Sequence, residues 1–153
     1  MTKLIDQDRA ILRALQHDCS LSLAKMSERV GLASSTVWRK VQEFEAAGLI
    51  RARVALLDPR QVDARLAVLA SISLNNHSEA ALAQFAQLVA RCPEILECDA
   101  VSGDADYVLR IRVPDVEACE RFMTHNLLRN PHARSVRSSF VLKEIKSTTA
   151  LPI

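Results

Sequence analysis

Near residue 66 the hydrophobic periodicity of the chain changes. Before that point apolar residues recur at helical spacing in three short segments, and after it strand-like runs alternate with helical ones in the order β-α-β-β-α-β. A helical block followed by such a run predicts two domains, not one. The expected boundaries are 1–60 for the first domain, 61–66 for a polar hinge and 67–153 for the second. With 49% hydrophobic residues both parts can bury a core, and with only 4% aromatics those cores must be built mainly of Leu, Val, Ile and Ala.

In the first block Asp6 is expected to cap a helix, with Ile5 stapled to Ala10 and with Ile11, Leu12 and Leu15 facing inward. A second short helix starts near Ser22, carries Leu23, Met26 and Val30 inward, and stops at Gly31. A third runs from Ser34-Ser35 to Ala47, with its N-cap at Ser34, a Gly48 cap at its end, and Val37, Trp38, Val41, Phe44 and Leu49 inside. Ile50 to Leu57 alternates Arg with small or apolar residues, as a half-exposed strand does. Two short helices joined by a tight glycine turn predict a helix-turn-helix whose second helix enters a major groove. Ser27 is then the small residue at the contact, and Ser35, Thr36, Arg39, Lys40, Gln42 and Glu43 form the outer face. The DNA-contacting residues expected from this pattern are Ser34, Ser35, Thr36, Arg39 and Lys40.

Charge is distributed in the same sense. Residues 1–60 hold ten Lys/Arg against seven Asp/Glu, and residues 61–153 hold ten against eleven, so the net +2 comes entirely from the first block. A local cationic excess favours a polyanionic partner there.

The second block predicts strands over Ala67–Leu74, Ile95–Ser102, Tyr107–Val113 and Val136–Ile145, with helices over Ser78–Cys92 and Asp115–Leu128. The inward residues expected on those helices are Leu82, Phe85, Leu88 and Val89, then Val116, Cys119, Phe122 and Met123. This is the split β-α-β order of a ferredoxin-like domain, so the fold class is α+β. Such a sheet has helices on one face only. Leu, Val and Ile on the other face would need a partner, which predicts at least a dimer built through residues beyond about 65. Gly103-Asp104-Ala105-Asp106 between two strands serves equally as simple turn chemistry or as a ligand loop, with N–H groups for a carboxylate and Asp106 for an ammonium.

Other classes find little support. Cys19, Cys92, Cys98 and Cys119 form no C-x-x-C pair and read as reduced thiols. The four histidines are scattered, and three glycines cannot build a phosphate-cradling loop, so neither an enzyme nor a metal site is expected. No cofactor is expected beyond a small effector. No apolar run is long enough to cross a bilayer and the first residues lack a signal-peptide core, so a cytoplasmic protein without membrane partners is expected.

Several ordered motifs resemble a known family. They are Ile5-Asp6 with Ile11-Leu12, Glu28-Arg29-Val30-Gly31-Leu32, Arg39-Lys40-Val41 and Glu45-Ala46-Ala47-Gly48-Leu49-Ile50. Leu57-Asp58-Pro59, Ser102 through Tyr107 and the tail Ile145 through Pro152 follow. Together they resemble the Lrp/AsnC (feast/famine) family of transcriptional regulators. The resemblance implies an N-terminal winged helix-turn-helix and a C-terminal ferredoxin-like βαββαβ domain, often called RAM. It also implies dimers that assemble further, often to octamers, an amino acid bound between dimers, and control of amino-acid metabolism genes. By the same resemblance, Gly103, Asp104, Asp106 and Ser138 are the expected effector-binding residues. The tail and the segment Asp18–Leu23 most resemble a cysteine-sensing branch, which makes cysteine the first expected effector.

This chain departs from the family pattern at several points. Ala33-Ser34 stand in place of Ser-Pro before the recognition helix, and Gln42 and Glu43 stand in place of basic residues. Ala105 replaces a bulky residue and Val136 a hydroxyl. Fewer cations mean fewer phosphate contacts, so the alternative is an effector-binding and assembly module with weak or lost DNA binding.

Overall fold

The computed structural model describes residues 4–153 and divides the chain into two compact units. One runs up to Ala55 and includes Ile145–Ile153; the other is Leu56–Glu144. The tail, expected to finish the second domain, therefore belongs with the first unit, and the polar segment expected as a hinge belongs with the second.

The first unit holds α1 (Asp6–His17), α2 (Leu23–Val30) and α3 (Ser34–Ala46). Ile11, Leu12, Ala14, Met26, Val37, Val41 and Phe44 form its core. Helix α1 is capped differently from the expectation. Ile5 occupies the cap, and Asp8, three residues on, accepts the Ile5 N–H at 3.2 Å, while Asp6 is already helical. Ser22 caps α2 as expected, accepting from Lys25 N–H. Gly31 then ends α2 at φ +67°, with its own N–H on Glu28 and the Leu32 N–H on Ser27. Gly48 ends α3 the same way, with Gly48 N–H on Glu45 and Leu49 N–H on Phe44. Both are paired closures that require left-handed backbone, which glycine supplies without strain. Ala33, not Ser34, caps α3, and no side chain closes that end.

Leu23, Trp38 and Leu49, expected inside, are exposed. Val37 already fills the buried row of α3, and its neighbour Trp38 lies about 100° further round the helix. The segment Ile50–Leu57 forms no paired strand among the described residues. A strand needs a neighbour to satisfy its backbone, and none lies beside it.

The second unit is a four-stranded antiparallel sheet of order β2-β3-β1-β4, with β1 (Leu66–Leu74), β2 (Ile95–Ala100), β3 (Tyr107–Val113) and β4 (Ala133–Phe140). This is the ferredoxin-like arrangement. Helix α4 (Glu79–Arg91) is capped by Ser78, and α5 (Val116–Phe122) is capped by Asp115. Here α5 does not continue as an α-helix to Leu128 but widens into a π-helical turn over Met123–Leu128. The core joins Val68, Ala70, Ile72 and Leu74 of β1 and Leu109, Ile111 and Val113 of β3 to Phe85, Cys119, Phe122 and Leu127. Val116, expected inward, is exposed at the start of α5.

Strand β4 lies earlier than Val136–Ile145. Its register on β1 runs from Leu74↔Ala133 to Val68↔Phe140, so it has no partner left after Val141 donates to Ala67. The face of the sheet away from the core is not the apolar surface expected. By alternation it presents Ser71, Ser73, Arg110, Arg112, Ser135 and Arg137, with Ala67, Leu69 and Val108 as apolar members.

Candidate functional site

In α3 the buried row Val37, Val41, Phe44 leaves Ser34, Ser35, Arg39, Gln42 and Glu43 exposed and Thr36 half-buried. Because Ala33 offers no side-chain acceptor, the first N–H groups of α3 remain available to an anion, beside the Ser34 and Ser35 hydroxyls. Arg39 pairs with Glu43 one turn on, and both are about half exposed. An exposed pair of this kind contributes only about 0.2–1 kcal/mol, so phosphate or a base edge can displace the glutamate. Arg53 is similarly paired with Glu45, at 2.6 Å.

Lys40, expected on the DNA-facing surface, is placed elsewhere. Its ammonium stands 2.9 Å from Oδ1 of Asp8, and the two side chains are 20% and 7% exposed. Burial pushes the Asp8 carboxyl up, but the Lys40 ammonium and the Ile5 N–H together hold it below the ordinary carboxylate range. Lys40 thus fastens α3 to α1.

The loop between β2 and β3 is held as tightly. Asp106 Oδ2 accepts the Leu74 N–H at 2.7 Å, Oδ1 lies 3.0 Å from His77 Nε2, and the Asp106 N–H donates to Ile72. The Leu74 N–H and then His77 lower its pKa against a small opposing effect of burial. Ser73 donates to the Asp104 carbonyl at 3.3 Å, and Gly103 takes φ +147° in the turn. Asp104 and Ala105 then line a cleft of about 260 Å³ with Ser71, Ser73, Arg134, Ser135 and Arg137. Two guanidinium groups, three hydroxyls and one carboxylate suit a small zwitterion.

The structure does not bring Ser138 into this cleft. Ser138 pairs with Ala70 and lies on the core side of β4, where it lines a different groove with Cys119, Met123 and Phe140. A one-residue step along a strand reverses the face, so Ser135 and Arg137 occupy the position expected of Ser138. Sequence reasoning singled out neither of them, nor Arg134, which also lines this candidate cleft. The signal available was the alternation of β4, which the misplaced start at Val136 obscured.

Comparison with known proteins decides the lineage. Residues 6–51 match the winged helix-turn-helix DNA-binding family and residues 67–151 the Lrp/AsnC ligand binding domain. The leucine-responsive regulatory protein of Escherichia coli K12 is 39% identical over 146 residues, covering 95% of this chain and 89% of its own length. The chain belongs to the Lrp/AsnC family. The glutamate uptake regulatory protein of Zymomonas mobilis is 35% identical over 151 residues, covering 99% of this chain and 92% of its own. Among solved structures, an AsnC family regulator from Agrobacterium tumefaciens superposes with TM-score 0.93 at 41% identity, over 97% of both chains. A regulator from Neisseria meningitidis, in complex with L-Met, superposes with TM-score 0.94 at 37% identity, over 98% of this chain and 97% of its own. As an Lrp/AsnC protein the chain is a DNA-binding transcriptional regulator with a ligand-binding domain. Among the described residues no helix is long and apolar enough to cross a membrane.

Proposed function

We propose that this Lrp/AsnC regulator controls amino-acid metabolism genes from the cytoplasm, without catalysis or cofactor, by coupling an amino-acid effector to operator binding. Ser34, Ser35, Thr36 and Arg39 contact the DNA, with Lys40 acting as the fastener behind them. The exposed polar face of α3, starting at an uncapped helix end, carries this reading. One observation favours the alternative of weak DNA binding: Arg39, Lys40 and Arg53 are all paired with carboxylates. A gel shift with the chain's own promoter region separates the two, since no specific retardation at any salt would leave only the effector module.

The effector site is the cleft on the open sheet face. Arg134 and Arg137 meet the carboxylate, Asp104 the ammonium, and the serines the remaining donors and acceptors. Gly103 and Asp106 shape the loop, and Ser138 is not part of it. Cysteine is the first effector to test. Methionine, leucine and glutamate follow, because a relative was solved with L-Met and others are named for leucine response and glutamate uptake. A thermal-shift screen of the common amino acids should find one that stabilises the wild type at millimolar concentration. Asp106→Ala should lose that response and keep most of the DNA affinity. No stabilisation by any amino acid would remove the sensing function.

A further inference from the structure

A second cleft, of about 280 Å³, lies on the helical side of the sheet, between the end of α4 and the π-helical turn. Arg91, Arg129, His125 and His132 line it together with amides such as Gln84 and Asn126, and no carboxylate does. Among the described residues Arg91 and Arg129 meet neither a carboxylate nor a hydrogen-bond acceptor and are exposed.

Each of these two arginines stands at a helix C-terminus, Arg91 at the last residue of α4 and Arg129 at the end of the π turn. A helix end carries about half a negative charge, so two ends offset about one of the two positive charges. Roughly one net positive charge remains from the two arginines. The histidines are also oriented. His125 Nδ1–H donates to the Arg121 carbonyl at 2.7 Å, which leaves Nε2 free, and His132 Nε2 bonds Gln84 Oε1 at 2.7 Å. The π turn itself carries His125 and Asn126 to the cleft, and such turns occur disproportionately at functional sites.

We propose that this cleft binds a small organic phosphate, as a second ligand independent of the amino-acid effector. Guanidinium forks bind phosphate oxygens bidentately, and side-chain amides bond hydroxyl groups of the attached carbon skeleton. The volume fits one small molecule. A DNA backbone would call for a row of cations along an open surface, where this cleft has two in a hollow.

The test is calorimetric titration of the full chain with glucose 6-phosphate and glycerol 3-phosphate, against glucose, glycerol and NaCl of matched ionic strength. At least one phosphate ester should bind saturably at millimolar concentration or below, and its parent alcohol should not. Arg91→Gln and Arg129→Gln should each weaken that binding about tenfold or more, as loss of a charge-assisted hydrogen bond does. Both variants should keep the circular dichroism spectrum and melting temperature of the wild type, which reports that they fold whether or not an amino acid binds. Heats reproduced by NaCl, or affinities unchanged in both variants, would overturn the proposal. So would a double variant that loses affinity for a labelled duplex while no phosphate ester binds, since the cleft would then be a DNA contact.

Discussion

Asp8 is almost wholly buried on α1, and Lys40 holds its charge from α3. A carboxyl whose pKa is lowered in the folded state stabilises that state above its unfolded pKa, near 3.9, and loses the contribution as pH falls through the folded value. Denaturant titrations of wild type should therefore show stability dropping below about pH 4, and Asp8→Asn should flatten part of that slope. At neutral pH the substitution should cost about 1–2 kcal/mol, less than for a fully enclosed pair because Lys40 still reaches solvent. Equal acid sensitivity of wild type and variant would show the pair to be incidental. Arg39 occupies the same helix but faces outward. Arg39→Ala should leave folding intact and weaken specific promoter binding by about 1–3 kcal/mol, measured by fluorescence anisotropy.

At the scale of elements, the glycine closures decide where α2 and α3 stop. Gly48 has open space where a Cβ would stand, so any penalty for alanine there is conformational and not steric. Gly48→Ala should lower the melting stability by about 1–2 kcal/mol, the ordinary strain of a left-handed alanine. An unchanged midpoint would mean that the chain finds another exit from α3. In the second unit Ser78 and Asp115 each close a helix start with one side-chain acceptor, and Asp106 ties its loop to the end of β1 through one carboxylate on Leu74 N–H and His77.

At the scale of the whole molecule, the last residues return to the first unit. Leu151 N–H donates to Gln16 Oε1 at 2.6 Å, Gln16 Nε2 donates back to the Leu151 carbonyl at 3.2 Å, and Ile153 packs against the three-helix core. Gln16→Ala removes both bonds and should destabilise that unit by about 1 kcal/mol, the net worth of solvent-accessible hydrogen bonds. Hydrogen exchange in α1 should rise accordingly, and unchanged protection would make the tail a passive rider. Assembly rests more on operator symmetry than on an apolar sheet face. The open sheet face is polar, but Leu69 and Val108 lie among its arginines and serines, and an operator with two-fold symmetry calls for a two-fold protein. Light scattering should return at least a dimer at micromolar concentration, and a monomer would contradict it.

The order of elements was legible in the sequence because periodicity and caps are local. Ser22, Gly31, Gly48, Ser78 and Asp115 mark boundaries through bonds made within a few residues, and the β-α-β-β-α-β order follows from alternation of period 2 and period 3.6. The candidate DNA face of α3 was equally legible, since Val37, Val41 and Phe44 define its opposite side. What lay outside local pattern was decided by tertiary structure. Lys40 looked like a surface cation until packing set Asp8 beside it, and Trp38 looked like core until Val37 claimed the buried row. The start of β4 depends on its register against β1, and that register alone places Arg137 and Ser135 beside the Asp104 loop and turns Ser138 to the other face. A sequence records which residues can pair; only the pairing of distant strands and helices determines which of them share a face.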